Sequence, residues 1–173
     1  MTKTSRDEAF RAFFHAENEP LERFATLLTG DPTQGADLAQ EALVRVYTHW
    51  GRIRTGSPGA YARQIVVNLV RSAHRSRMRR GLKPVPAWAG DEGRAAEAPS
   101  DRIADRVSII EALKELSPVR RAVVLLRYYD DMSEHQIAEV LDRPLGTVKS
   151  DLHRALRRLR PLLEDANAGE RRP

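Results

Sequence analysis

Apolar residues recur along the chain with the spacing of one helical face, on both sides of a central stretch that has no periodicity, and nowhere is there a sustained alternating run of β-branched residues. The pattern predicts an all-α fold. Helices are expected near 6–17, 20–29, 32–49 and 58–79 in the first half, and near 102–115, 118–129, 134–141 and 147–163 in the second. Their starts are marked in the sequence: Ser5 and Glu8 have the spacing of a capping box, while Asp31-Pro32, Ser57-Pro58 and Ser117-Pro118 each put a capping side chain before a proline at the first helical position. Gly30 is expected to end the second helix, and Gly51 and Gly56 belong to a loop before the fourth. Between Gly81 and Ser100 the prolines 84, 86 and 99 and the glycines 90 and 93 read as a linker. The expected organisation is two small helical domains, 1–80 and 101–165, joined by a flexible linker, with a disordered tail over 166–173.

In the second half, Ser133-Glu134-His135-Gln136 reads as a capping box that opens a short helix with Ile137, Ala138 and Leu141 facing inward. Asp142 to Gly146 then break it, and another helix starts at Thr147, giving the layout of a helix-turn-helix. Val148, Leu152, Ala155, Leu156 and Leu159 form one apolar stripe of that last helix. The opposite face is left to Lys149, Ser150, Asp151, His153, Arg154, Arg157 and Arg158. A helix buried on one side and rich in donors on the other, presented by a tight turn, is what major-groove reading requires. The plainer alternative is a helical hairpin with a solvated basic face.

In the helix from Pro32 to His49, the residues Ala39, Leu43, Val46, Tyr47 and Trp50 make the expected buried stripe. Asp37, Gln40, Glu41, Val44, Arg45 and Thr48 are left outside. In the following helix Tyr61, Ile65, Leu69 and either Ser72 or Ala73 are expected to point inward, and Arg63, Val67, Asn68, Arg71, His74 and Arg75 outward. That outer stripe runs toward Arg77, Arg79 and Arg80. Asn68 is the odd residue among apolar neighbours, because a mid-helix asparagine lowers helix propensity and must either bond locally or meet a partner.

Composition sharpens the picture. Of the 173 residues 29 are basic and 24 acidic, and 25 of the basic ones are arginine, the side chain best suited to bidentate contact with phosphate and guanine. A polyanionic partner follows. The sequence contains no cysteine, its five histidines have no metal-binding spacing, and there is no Gly-rich phosphate loop, so neither metal nor cofactor nor catalytic activity is expected. No segment approaches the roughly 20 apolar residues of a membrane span, and Met1 to Phe10 is too polar for a secretory signal, which predicts a cytoplasmic location.

Four groups of residues, taken in order, resemble a known family. They are Asp37-Leu38-Ala39-Gln40-Glu41-Ala42-Leu43-Val44-Arg45-Val46; Ala60-Tyr61 with Ile65-Val66-Val67-Asn68-Leu69; Leu116-Ser117-Pro118; and Ser133-Glu134 to Leu141 with Gly146-Thr147-Val148-Lys149-Ser150. Together, over roughly residues 5–163, they resemble the extracytoplasmic-function group of bacterial RNA polymerase sigma factors. The resemblance implies a promoter-specificity subunit whose partners are core RNA polymerase and promoter DNA, the latter single-stranded at the minus-ten element and duplex at the minus-thirty-five element. It assigns polymerase docking to Asp37, Gln40, Glu41 and Arg45. Minus-ten contacts fall to Arg63, Asn68, Arg71, Arg75 and Arg77, in keeping with the pocket, edge hydrogen bonds and positive charge that an unstacked base and its backbone need. Minus-thirty-five contacts fall to Lys149, Ser150, Asp151, Arg154 and Arg157. Trp88, Asp91 and Glu92 of the linker are further candidates for contact with the core enzyme. A free monomer is expected, and whether an anti-sigma partner exists stays open.

Two positions depart from the family pattern. Asp151 stands where many relatives carry arginine or a small polar residue, so its role is either lost phosphate contact or acceptance of a hydrogen bond from cytosine N4. Ser72 replaces a frequent aspartate. A linker of about 20 residues spans roughly 66 Å fully extended, enough with the domains themselves to bridge two boxes about two helical turns apart at roughly 34–36 Å per turn. The competing reading is a helix-turn-helix regulator that binds duplex DNA by itself, with the N-terminal half as a ligand or dimerisation module.

Overall fold

The computed structural model describes residues 3–53, 57–81 and 109–169, and every regular element among them is helical. Helix α1 spans Lys3–Thr29, α2 Pro32–His49 and α3 Pro58–Arg79, with a 3-10 turn at Trp50–Arg52 between the last two. Helix α4 is described over 109–114, α5 spans Pro118–Tyr128, α6 Glu134–Leu141 and α7 Leu145–Gly169.

The expected break after residue 17 is absent: α1 is one helix that carries Pro20 inside it. An interior proline removes a hydrogen bond and crowds the preceding turn. Packing on both sides outweighs that cost here, since Leu21, Phe24, Ala25 and Leu28 are fully buried and Phe10 and Phe13 pack against the same core. Ser5 consequently lies within the helix and is not its cap. The helix ends where expected, at Gly30, whose left-handed backbone (φ 79°) lets its N–H return to the Thr26 carbonyl at 2.7 Å.

Asp31 caps α2 by accepting from the Gln34 backbone N–H at 3.1 Å. Ser57 and Ser117 occupy cap positions before prolines but make no side-chain cap bond. Phe10 of α1 closes one end of the α1–α2 seam, with its ring 5.3 Å from Trp50 and 4.8 Å from Tyr47, both edge-on. The seam is tight at Gly35, where an added Cβ would stand 2.7 Å from the backbone nitrogen of Thr26 and 2.8 Å from its Cα.

The helix-turn-helix is present. Ser133 and Gln136 form the reciprocal capping box at the start of α6. At its end Asp142 adopts φ 49°, and the N–H groups of Asp142 and Arg143 return to the carbonyls of Glu139 and Ala138, the pairing of a Schellman motif. The carbonyl of Pro144 accepts from Thr147 and Val148 at 2.9 and 3.1 Å, which starts α7 at Leu145, two residues before the expected Thr147. The helix continues through Pro161 to Gly169, so residues 166–169 of the expected disordered tail are helical. Residues 170–173, and all of the expected linker except Gly81, lie outside the described residues.

The two groups of helices, α1–α3 and α4–α7, share one continuous core. Arg121 of α5 joins them. Its buried guanidinium donates to the carbonyl of Leu28 in α1 at 2.6 Å, and to those of Leu113 (2.8 Å), Lys114 (3.2 Å) and Leu116 (3.3 Å). Burial pushes it below the usual arginine value. Gly35→Ala is expected to lower the unfolding free energy by about 1–3 kcal/mol, the range for overpacking against backbone, despite the gain in helix propensity. Urea denaturation checks this, and an unchanged midpoint would show that α1 and α2 part freely.

Candidate polymerase-docking and nucleic-acid faces

Helix α2 turns Ala39, Ala42, Leu43 and Val46 into the core, and this leaves Asp37, Gln40, Glu41, Val44, Arg45 and Thr48 on the outer side, as the sequence periodicity predicts. Val44 is 65% exposed in the middle of this polar face, an apolar centre ringed by charge. Arg45 and Glu41 form an ion pair one turn apart at 2.5 Å, with both side chains about half exposed. Tyr47, expected inside, is 41% exposed; its ring packs on Phe10 and its hydroxyl donates to Asp7 at 3.1 Å.

On α3 the exposed stripe is Asn68, Ser72 and Arg75, flanked by the half-buried Arg71 and Arg77 and followed by exposed Arg79. Asn68, Arg71 and Arg75 stand at i, i+3 and i+7, so one face carries an amide with both donor and acceptor and a row of guanidiniums. Of the two inward candidates at 72 and 73, both are exposed.

Two further expectations for α3 are corrected. Val67 is 1% exposed and belongs to the core. Arg63, assigned to minus-ten contact, is 7% exposed, with its guanidinium 2.9 Å from Glu17 of α1 and 2.7 Å from Asp130 after α5. A further N–H reaches the Gly59 carbonyl at 3.1 Å. Burial acts to lower the pKa of Arg63, but the carboxylates of Asp130 and Glu17 outweigh it and raise the group above its ordinary value. At about 100° per residue, position 63 lies roughly 140° around the helix from position 68, while Val67 sits one turn above Arg63 on the same buried side. Helical spacing alone could have separated Arg63 from Asn68; its partners, 46 and 67 positions away, leave no sequence signal.

On α7 Lys149, His153, Arg154, Arg157, Arg158 and Arg160 are exposed, while Val148, Leu152, Ala155 and Leu159 are buried. Lys149 lies 3.9 Å from Glu134, and Arg158 pairs with Glu115 at 2.7 Å. Ser150 is half-buried and its hydroxyl donates to the Thr147 carbonyl at 2.9 Å. Leu156, expected in the apolar stripe, is 38% exposed. Asp151 corrects the sequence reading most sharply. It is 8% exposed on the inner side of α7, where one carboxylate oxygen faces Arg143 at 3.2 Å and the other Arg120 at 3.4 Å. One hundred degrees per residue places 151 beside 148, 152 and 155, and the two arginines neutralise the charge that this position buries.

The sequence reading missed Arg120, Arg121 and Arg143 as structural arginines. Arginine-rich composition masked them, because the same side chain serves surface phosphate contact and internal carbonyl or carboxylate contact. Among the described residues no group of His, Asp and Glu could hold a metal ion, and no helix is long and apolar enough to cross a membrane.

Comparison with known proteins agrees with this layout. Residues 13–80 match the Sigma-70 region 2 family and residues 106–159 the family described as Sigma-70, region 4. The chain is 37% identical over 167 residues to the RNA polymerase sigma-E factor of Streptomyces avermitilis, covering 94% of this chain and 91% of that protein. It is 34% identical over 157 residues to the ECF RNA polymerase sigma factor SigL of Mycobacterium tuberculosis, covering 90% and 89%. The fold is shared with the sigma factor RpoE of Bartonella quintana, solved in complex with the anti-sigma factor NepR, at a TM-score of 0.74 and 24% identity over 91% of this chain and 98% of that one. A chain that carries both sigma regions in order, on helices whose outer faces are acidic in α2 and arginine-rich in α3 and α7, belongs to the extracytoplasmic-function group of RNA polymerase sigma factors.

Proposed function

We propose that this sigma factor divides promoter recognition between its two helical groups: residues 1–80 dock on core polymerase and open the minus-ten element, residues 101–165 read the minus-thirty-five element as duplex, and 81–100 connect them. It acts in the cytoplasm and contributes binding and no chemistry of its own. The observation that carries the reading is the outer face of α7, where Lys149, His153, Arg154 and Arg157 stand exposed on a helix presented by a capped short helix and a tight turn. Residues in the first two turns of such a helix meet base edges, and later arginines meet phosphates.

Asp37, Gln40, Glu41 and Arg45 are the proposed docking residues, a partly self-paired charged rim around Val44. Charged rims steer and orient a partner while burial of the apolar centre adds affinity. Asn68, Arg71, Arg75 and Arg77 are the proposed minus-ten residues, and Lys149, Ser150, Arg154 and Arg157 the minus-thirty-five residues.

Reconstitution with core polymerase and transcription on genomic fragments tests the function. Initiation from a small set of sites is expected; a chain that bound duplex unaided and supported no initiation would overturn the reading in favour of a self-sufficient helix-turn-helix regulator. Asp37→Arg combined with Glu41→Arg is expected to abolish association with core polymerase while leaving the circular dichroism spectrum intact, and unchanged co-purification would remove α2 from the docking surface. Asn68→Ala is expected to slow open-complex formation far more than it weakens duplex affinity; equal losses would make Asn68 a structural residue. For Arg154→Ala, a base contact predicts a loss of about 1–3 kcal/mol confined to one promoter position, whereas uniform weakening across sequences marks a phosphate anchor.

A further inference from the structure

The basic side of the helix-turn-helix holds more cations than it presents. Arg120 stands in the first turn of α5 and Arg143 in the turn just before α7, and both converge on Asp151, in the second turn of α7. Arg143 Nη1 lies 3.2 Å from one carboxylate oxygen and Arg120 Nε 3.4 Å from the other, so a single acid occupies both. The carboxylate is almost fully buried, yet the two arginine side chains keep 28% and 39% of their surface exposed. Both side chains therefore reach solvent even while they are paired. Both are long enough to swing outward once their partner's charge is gone.

Phosphate contacts add affinity for every DNA sequence alike, and base contacts alone distinguish sequences. Two arginines held inward by Asp151 are two phosphate contacts not made. We propose that Asp151 sets the stringency of upstream-element recognition by withholding Arg120 and Arg143 from the DNA backbone. Asp151 thus acts on specificity without touching a base, and its position on the inner side of α7 is the reason. This inference rests on α7 being the duplex-reading helix.

Salt dependence provides the test, because each phosphate neutralised steepens the plot of log affinity against log salt by about 0.9. The full-length chain is titrated into a fluorescent 30-base-pair duplex of random sequence, with anisotropy read from about 50 to 200 mM salt. Asp151→Asn is expected to steepen the slope by about 1–2 relative to wild type, and every additional phosphate neutralised then multiplies the affinity lost across that range about threefold. Adding Arg120→Gln and Arg143→Gln to the same chain is expected to return the slope to the wild-type value. Arg143→Gln alone, which leaves Asp151 its Arg120 partner, is expected to leave the wild-type slope unchanged; a shallower slope would show Arg143 already on phosphate and overturn the proposal without recourse to any Asp151 variant. An unchanged slope in folded Asp151→Asn, verified by thermal unfolding, also overturns it.

A second measurement separates this proposal from the reading beneath it. Holoenzyme binding is compared on a promoter fragment recovered from the transcription experiment and on the same fragment with its upstream element scrambled. Wild type is expected to discriminate and Asp151→Asn to discriminate less. Equal discrimination by both would overturn the role of Asp151 alone, while absence of discrimination in wild type would overturn the assignment of α7 itself.

Discussion

A buried guanidinium that donates to four backbone carbonyls among the described residues ties the two helical groups of this sigma factor together across their shared core. Burying a charge carries a penalty on the order of several kcal/mol per ion unless hydrogen bonds compensate, and Arg121 meets the requirement with four carbonyls drawn from α1, α4 and the loop before α5. Leu28 is in the last turn of α1, where unsatisfied carbonyls and the negative end of the helix dipole favour a cation. The same contact thus satisfies the end of one helix and fixes the start of another group. Arg63 repeats the device in reverse chain order, reaching from α3 to Asp130 beyond α5 while Glu17 of α1 flanks it.

With these internal arginines engaged, the exposed arginines of α3 and α7 lie on the helix faces turned away from the core. On α3 and α7 most apolar residues lie against the shared core, and the amphipathic geometry leaves Asn68, Arg75, Arg154 and Arg157 outside. The proposed docking face of α2 is separate from both and of opposite character, with Asp37 and Glu41 around Val44. One helical body can in this way present one face to a protein partner and two others to nucleic acid. Helix-turn-helix precision comes from small devices: the Ser133–Gln136 capping box sets where α6 begins, Asp142 in the left-handed region ends it, and Pro144 supplies the carbonyl on which α7 starts.

Much of this was legible in the sequence where it depended on local chemistry. The bounds of α2, α3 and α6, the end of α1 at Gly30 and the outer face of α2 all follow from caps, breakers and period. Pro20 misled because propensity reports a local cost, and the burial of Leu21, Phe24 and Leu28 that offsets it is a tertiary gain. Arg63 and Asp151 misled for a related reason. Each is charged and each sits on the core side of its helix, stabilised by partners distant in the chain or across the turn. Strict helical period puts both on the core side, whereas residue type suggests surface, and residue type was the poorer guide. The direct packing of the two helical groups through Arg121 has no local signature at all, because its acceptors are backbone carbonyls that any sequence possesses.

Footprinting of the reconstituted complex, with combined hydroxyl-radical and permanganate probing, tests most directly whether one helical group opens a strand while the other reads intact duplex upstream, both acting only on the polymerase. Two protected blocks about two helical turns apart are expected, with reactive, unstacked thymines confined to the downstream block and no sequence-specific block protected by the free chain. A single block of unmelted duplex, protected equally well without polymerase, would contradict this division of labour.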